Sequence, residues 1–158
     1  MKDSLINGKI VFKYPDSFKL MDSDVLKKHF GTSDNIFGIR NAEQHMIMSV
    51  AWNKVNMFLS MLADQKSVLN GMEKRFRGNL KEFRRTSDIA VNVCGVKAKG
   101  FTFEYIAHDA DVAQAGNIVT FKLDKVFYFL QFAARKENEQ EANKVFEELL
   151  ASLTLNEN

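Results

Sequence analysis

Three observations in the sequence predict an α+β protein built as a single antiparallel β-sheet of about six to eight strands flanked by helices. First, residues 93–135 carry three runs dense in aromatic and β-branched side chains, a composition suited to a pleated, half-buried surface. In the first run Thr102, Glu104 and Tyr105 sit among Phe101, Phe103 and Ile106; residues 118–123 form the second and 126–133 the third. Second, only Asp124-Lys125 separates the last two runs, which is short enough for a tight antiparallel connection. Third, two stripes of apolar residues at three- and four-residue steps predict helices that each have one face to bury.

From the start of the chain, Ile10, Phe12 and Tyr14 alternate with Val11 and Lys13, the period of a strand, and Pro15-Asp16-Ser17 ends it. Residues 18–21 read as a second, short strand. Ser23 is placed to cap a brief helix over 24–30, in which Leu26 and Phe30 share a face and Gly31 permits a left-handed exit. Strands at 36–40 and 45–52 then flank the polar turn Asn41-Ala42-Glu43-Gln44. In the second of them Met46, Met48, Val50 and Trp52 point one way, and Ile47, Ser49 and Ala51 the other. Both faces are largely apolar or small, which suits an interior strand covered on each side.

Asn53 or Asn56 can cap the longest helix, which extends to about Arg77 with Phe58, Leu62, Leu69, Met72 and Phe76 along its stripe. Gly71 inside it costs about 1 kcal/mol relative to alanine, and either a close helix crossing or simple tolerance explains its presence. After Gly78-Asn79 come a polar strand at 81–86 and an alternating one at 89–93, and Cys94-Gly95 turns the chain back. Asn138 with Glu141 has the spacing of a capping box, and behind it Ala142, Val145, Phe146, Leu149, Leu150 and Leu153 form the stripe of the last helix. Phe103, Tyr105, Phe129, Leu130, Phe146 and Leu150 are expected in the core. No repeat, low-complexity tract or Pro/Gly linker divides the chain, so one domain over 1–158 is expected.

Several function classes lose support on composition and spacing. A formal charge of +2 with 27% charged residues singles out neither nucleic acid nor an anionic membrane. Cys94, the one cysteine, can form no intramolecular disulfide, and with no signal-peptide core near Met1 the expected location is the cytoplasm. No run approaches the roughly 20 apolar residues of a membrane span. His29, His45 and His108 have no ligand-type partner at helical spacing, so no metal is expected. Glu104 precedes His108 by four residues, but on a strand that spacing sets side chains two repeats apart. Cys94 sits at a turn with no adjacent histidine to activate it. Neither a phosphate loop nor a dinucleotide fingerprint occurs, and no cofactor is expected.

Four segments read so far carry a resemblance to a known family. They are the opening Val11-Phe12-Lys13-Tyr14-Pro15-Asp16-Ser17-Phe18, the hairpin at 91–98 leading into Phe101-Thr102-Phe103-Glu104-Tyr105, the strand at 126–133, and the closing residues 146–153. Together they resemble the PsbP-like superfamily over nearly the whole chain. The resemblance implies an antiparallel sheet between helices and a binding protein with no catalytic site. The matching positions are strand, turn and core positions, so no functional residue carries over.

The function expected from these readings is a non-enzymatic protein-binding module or chaperone-like adaptor. The alternatives are a structural subunit of a homo-oligomer, with edge strands as the contact surface, and a small enzyme without a recognisable motif. Lys74, Arg75, Arg77, Lys81, Arg84 and Arg85, diluted by Glu73 and Glu82, form the one conspicuous basic cluster; an anionic partner, protein or nucleic acid, is the lesser reading beside that of a helix C-terminus and a charge-protected edge strand. The partner-binding candidates are Met57 and Met61 beside the stripe of the long helix, Met48 and Trp52 on the strand that feeds it, and Arg84 and Arg85 as a charged rim. Methionines of this kind also fill irregular cores.

Overall fold

The computed structural model of the chain describes residues 1–54, 64–108 and 111–157. In chain order the elements are β1 (Lys2–Ile6), β2 (Ile10–Tyr14), β3 (Lys19–Leu20), α1 (Ser23–Phe30), β4 (Ile36–Asn41), β5 (Met46–Lys54), α2 (Gln65–Asn79), β6 (Lys81–Val93), β7 (Val96–Ile106), β8 (Ala113–Leu123), β9 (Val126–Arg135), α3 (Glu139–Ala151) and β10 (Thr154–Leu155). Seven strands form one sheet in the order β3-β4-β5-β9-β8-β7-β6, and every pairing in it is antiparallel. The α+β class with an antiparallel sheet is the one expected. The strand at 10–14, however, belongs to a second, three-stranded sheet, β1-β2-β10.

Turn chemistry fixes the meander. Cys94 and Gly95 (φ 52° and 79°) and Asp124 and Lys125 (φ 48° and 66°) all lie in the left-handed region. Two such residues in a row make the primed turn whose twist matches that of the flanking strands. Residues 81–86 and 89–93 form one continuous strand, β6, with register shifts between Lys81 and Arg84 and between Arg85 and Ser87.

Each face of the large sheet has its own cover. On the first, Met46, Met48 and Val50 of β5 join Leu130 and Phe132 of β9 and Val119 and Phe121 of β8 under Ile10, Phe12 and Tyr14 of β2 and Ala142, Phe146 and Leu149 of α3. Phe132 and Phe146 meet with ring centroids 5.3 Å apart. On the second face, Phe101, Phe103 and Ile118 pack under Leu69 of α2, with Phe76 and Phe83 beside them.

Local details differ from the expected ones. Asp22, rather than Ser23, caps α1 by accepting the Val25 N–H at 2.9 Å, while Gly31 takes the left-handed exit as expected (φ 78°). Asp64 caps α2 by accepting the Ser67 N–H at 2.7 Å. Asn53 is a strand residue of β5, and Asn56, Phe58 and Leu62 lie outside the described residues. Asn138 precedes α3 at the end of a 3-10 turn (φ −106°, ψ 18°) and makes no side-chain cap hydrogen bond, so the capping box does not form. Phe103, Leu130 and Phe146 are buried; Tyr105, Phe129 and Leu150 are only half-buried. A Cβ added at Gly71 would meet no atom of the described residues within 4 Å, so no described helix crosses closely there.

Candidate binding groove

Strands about 4.8 Å apart make a seven-stranded sheet roughly 29 Å wide, and a helix covers only about 10 Å of it. Among the described residues the second face carries two helices. α1 sets Leu26 over Gly38 of β4, and α2 lies across β6, β7 and β8. Between them the surface of β5 and β9 stays open as a groove of about 400 Å³. Its floor is Ser49 and Ala51 of β5 and their cross-strand partners Gln131 and Phe129 of β9. Phe30 and Ile36 line one wall; Val68, Met72 and Phe76 line the other.

The local sequence explains the shape. Ser49 and Ala51 are small, so the floor is low, and Phe129 is half-buried with no described helix directly over it. Arg75, exposed at the rim, is the only ionisable side chain among the described lining residues and makes no ion pair with another described residue. A concave surface with apolar walls, a few polar groups and one charge can hold an apolar segment and orient it; its described lining residues include no pair of titratable groups for acid–base chemistry.

Of the residues expected to bind a partner, the described ones, Met48, Trp52, Arg84 and Arg85, are not brought together. Met48 is 1% exposed in the core of the first face. Trp52 is half-buried on that same face, away from the groove, and Met57 and Met61 lie outside the described residues. Arg84 and Arg85, adjacent on a strand, point to opposite faces. Arg84 pairs with Glu104 at 2.5 Å. Arg85 pairs with Asp88 at 2.6 Å and Glu73 at 3.6 Å and lies 4.5 Å over the Phe101 ring. They form no common rim. The groove residues were legible in one respect: the alternation on β5 already separated Ser49 and Ala51 from the methionine face. Their exposure depends on where the helices land.

The ionisable groups outside the groove have structural settings. Lys136, bonded at 2.9 Å, and then Arg84 hold the Glu104 carboxyl below the usual carboxylate range. Burial pushes the Cys94 thiol up, away from the reactive thiolate. His108 Nε2 lies 3.0 Å from the Asn79 carbonyl oxygen at the end of α2. Among the described residues no group of three or more His, Cys, Asp or Glu is placed to hold a metal ion, and no helix is long and apolar enough to cross a membrane.

No protein-family model matches the sequence, and no curated protein matches it. Solved structures do. Cyanobacterial PsbP (CyanoP) from Synechocystis sp. PCC 6803 is similar with a TM-score of 0.65 at 12% identity, over 93% of this chain and 86% of that one. The Saccharomyces cerevisiae Ran-binding protein Mog1p is similar with a TM-score of 0.62 at 12% identity, over 98% and 94% of the two chains. LpqN of Mycobacterium tuberculosis, involved in cell envelope biogenesis, is similar with a TM-score of 0.52 at 14% identity, over 92% and 82%. At these identities the likeness is one of fold. The seven-stranded antiparallel sheet, with its smaller companion sheet and flanking helices, is the PsbP-like fold.

Proposed function

We propose that the chain is a protein-binding module, a chaperone-like adaptor without chemistry of its own, and that it holds an apolar segment of its partner in the groove over β5 and β9. The observation that carries this reading is the groove itself: apolar walls over a floor of small, polar and aromatic side chains, left open between two helices, with Arg75 as the one charge among its described lining residues. Binding there would bury Phe129 and Met72, and Arg75 would meet a carboxylate or carbonyl at the end of the bound segment. A fold neighbour that is itself a Ran-binding protein supports the use of this architecture for protein recognition. The reading assumes the cytoplasm, where the free thiol of Cys94 is at home.

Gly71 supplies the test. It lines the groove with open space above its Cα, so Gly71→Leu fills the site without a clash and raises helix propensity. The expected result is a variant at least as stable as the wild type that no longer captures the partners the wild type captures from native lysate. Capture of the same partners by folded Gly71→Leu would reject the groove as the binding site.

A further inference from the structure

Each edge of the large sheet is a strand with no further partner strand among the described residues, and the two edges differ. β3 is only two residues long. β6 is thirteen residues long, and its two halves are unlike each other. The first half is guarded: it carries Lys81, Glu82, Arg84 and Arg85, both register shifts, and a left-handed Glu82 (φ 52°). Charges and bulges of this kind prevent another strand from adding. The second half has no such guard. From Asp88 to Val93 the pairing with β7 is unbroken, and residues 89–93 are uncharged.

The register shows which groups are free. Val93 and Val96 flank the two-residue turn, which makes them a hydrogen-bonded pair, and the pairs then alternate along an antiparallel ladder. The N–H and C=O groups of Asp88, Ala90 and Asn92 therefore point outward from the sheet. Those three residues share a face with Lys99, opposite Ala90, and Lys97, opposite Asn92. Both lysines are exposed, and neither makes an ion pair with a described residue. Ala90 and Asn92 are short, so the lysine side chains can reach across them to a strand added about 4.8 Å beyond β6. Two carboxylates bear on this charge: Arg85 already engages Asp88 at 2.6 Å, and Asp64, fully exposed and bonded first to Ser67, makes no ion pair with Lys99, its weakest charged neighbour. On the other face the same stretch offers Val91, 38% exposed, and half-buried Ile89.

From this edge we infer a second interaction site, distinct from the groove: residues 88–92 accept, by strand addition, an extended peptide segment that alternates acidic and apolar side chains. The acidic positions face Lys97 and Lys99, the apolar positions cover Ile89 and Val91, and the backbone of Ala90 and Asn92 supplies the ladder. Period-two chemistry on the edge asks for period-two chemistry in its ligand.

The probes are two capped, fluorophore-labelled heptapeptides, one alternating valine and glutamate and the other alternating valine and lysine, followed by fluorescence anisotropy with the full chain. The expected result is preference for the glutamate peptide by roughly ten-fold or more, weakening as salt is raised. Ala90→Pro removes one outward N–H from an edge position, where proline is tolerated, and should abolish binding with unfolding unchanged. Lys97→Glu combined with Lys99→Glu alters only exposed side chains and should invert the preference, so the test stands even if the proline variant fails to fold. Equal affinity for the two peptides, or undiminished binding by folded Ala90→Pro, overturns the inference. So does a wild-type dimer in sedimentation that Ala90→Pro converts to monomer, because the edge is then filled by a second copy of the chain. Gly71→Leu should leave peptide binding intact, which separates the fate of this site from that of the groove.

Discussion

At position 100 no side chain larger than hydrogen fits. A Cβ there would stand 1.8 Å from the carbonyl oxygen of Ile118, an atom fixed in the β7–β8 ladder that cannot yield. Gly100→Ala should therefore cost about 3 kcal/mol or more in denaturant unfolding. At Gly71 the surroundings are open, and Gly71→Ala should instead stabilise by about 0.5 to 1 kcal/mol by relieving the helix of a glycine. The opposite signs follow from neighbours that the sequence does not display: both are lone glycines in otherwise regular segments. Phe146 was easier to assign, since its stripe left it one place to go. It is buried against Phe132, and Phe146→Ala should cost about 3 to 5 kcal/mol; a loss under about 1 kcal/mol would mean that α3 is not docked on the sheet. Met48 shows the limit at this scale. Its thioether suits a core or an adaptable surface equally well, and only the small sheet above it decides for the core.

Elements meet at Glu104, which ties three of them together: Arg84 of β6 and Lys136 after β9 both bond its carboxylate on β7. Its pKa is depressed in the fold, so its contribution to stability is present above the unfolded value near 4.5 and is lost as pH falls through the folded value. Glu104→Gln should unfold more easily than the wild type at neutral pH, with the gap closing below pH 4.5. A gap independent of pH would assign the effect to packing instead. Strand and helix existence was largely legible at this scale, because periods of 2 and 3.6 persist over the longer segments. β10 was not, since two residues carry no period, and β1 was missed because Lys2, Asp3 and Ser4 give it no apolar alternation. The capping box at Asn138 had the right spacing but the wrong backbone: a 3-10 turn holds the residue where its side chain cannot reach the helix N–H groups.

In the whole molecule one sheet serves as floor to two cores, one under the small sheet and α3, the other under α2. Because β8 and β9 contribute side chains to both, neither core can come apart without loosening the strands that support the other. One cooperative transition is the expected outcome when near-ultraviolet and far-ultraviolet circular dichroism follow denaturation; two separated transitions would divide the chain into independent units. Local pattern was enough to read the antiparallel meander, the positions of the tight turns at Cys94-Gly95 and Asp124-Lys125, the split of β5 into two faces, and the apolar stripe of α3. Which surface stays uncovered is not written in any local pattern. Alternation places Phe129 and Ala51 on the face opposite Met48, but whether a face is core or groove depends on where two helices of fixed width come to rest on a wider sheet. That is settled by contacts between residues far apart in the chain, such as Leu26 over Gly38 and Phe76 against Phe103. The side-chain period of a strand fixes direction, and the distance to the nearest covering element fixes exposure.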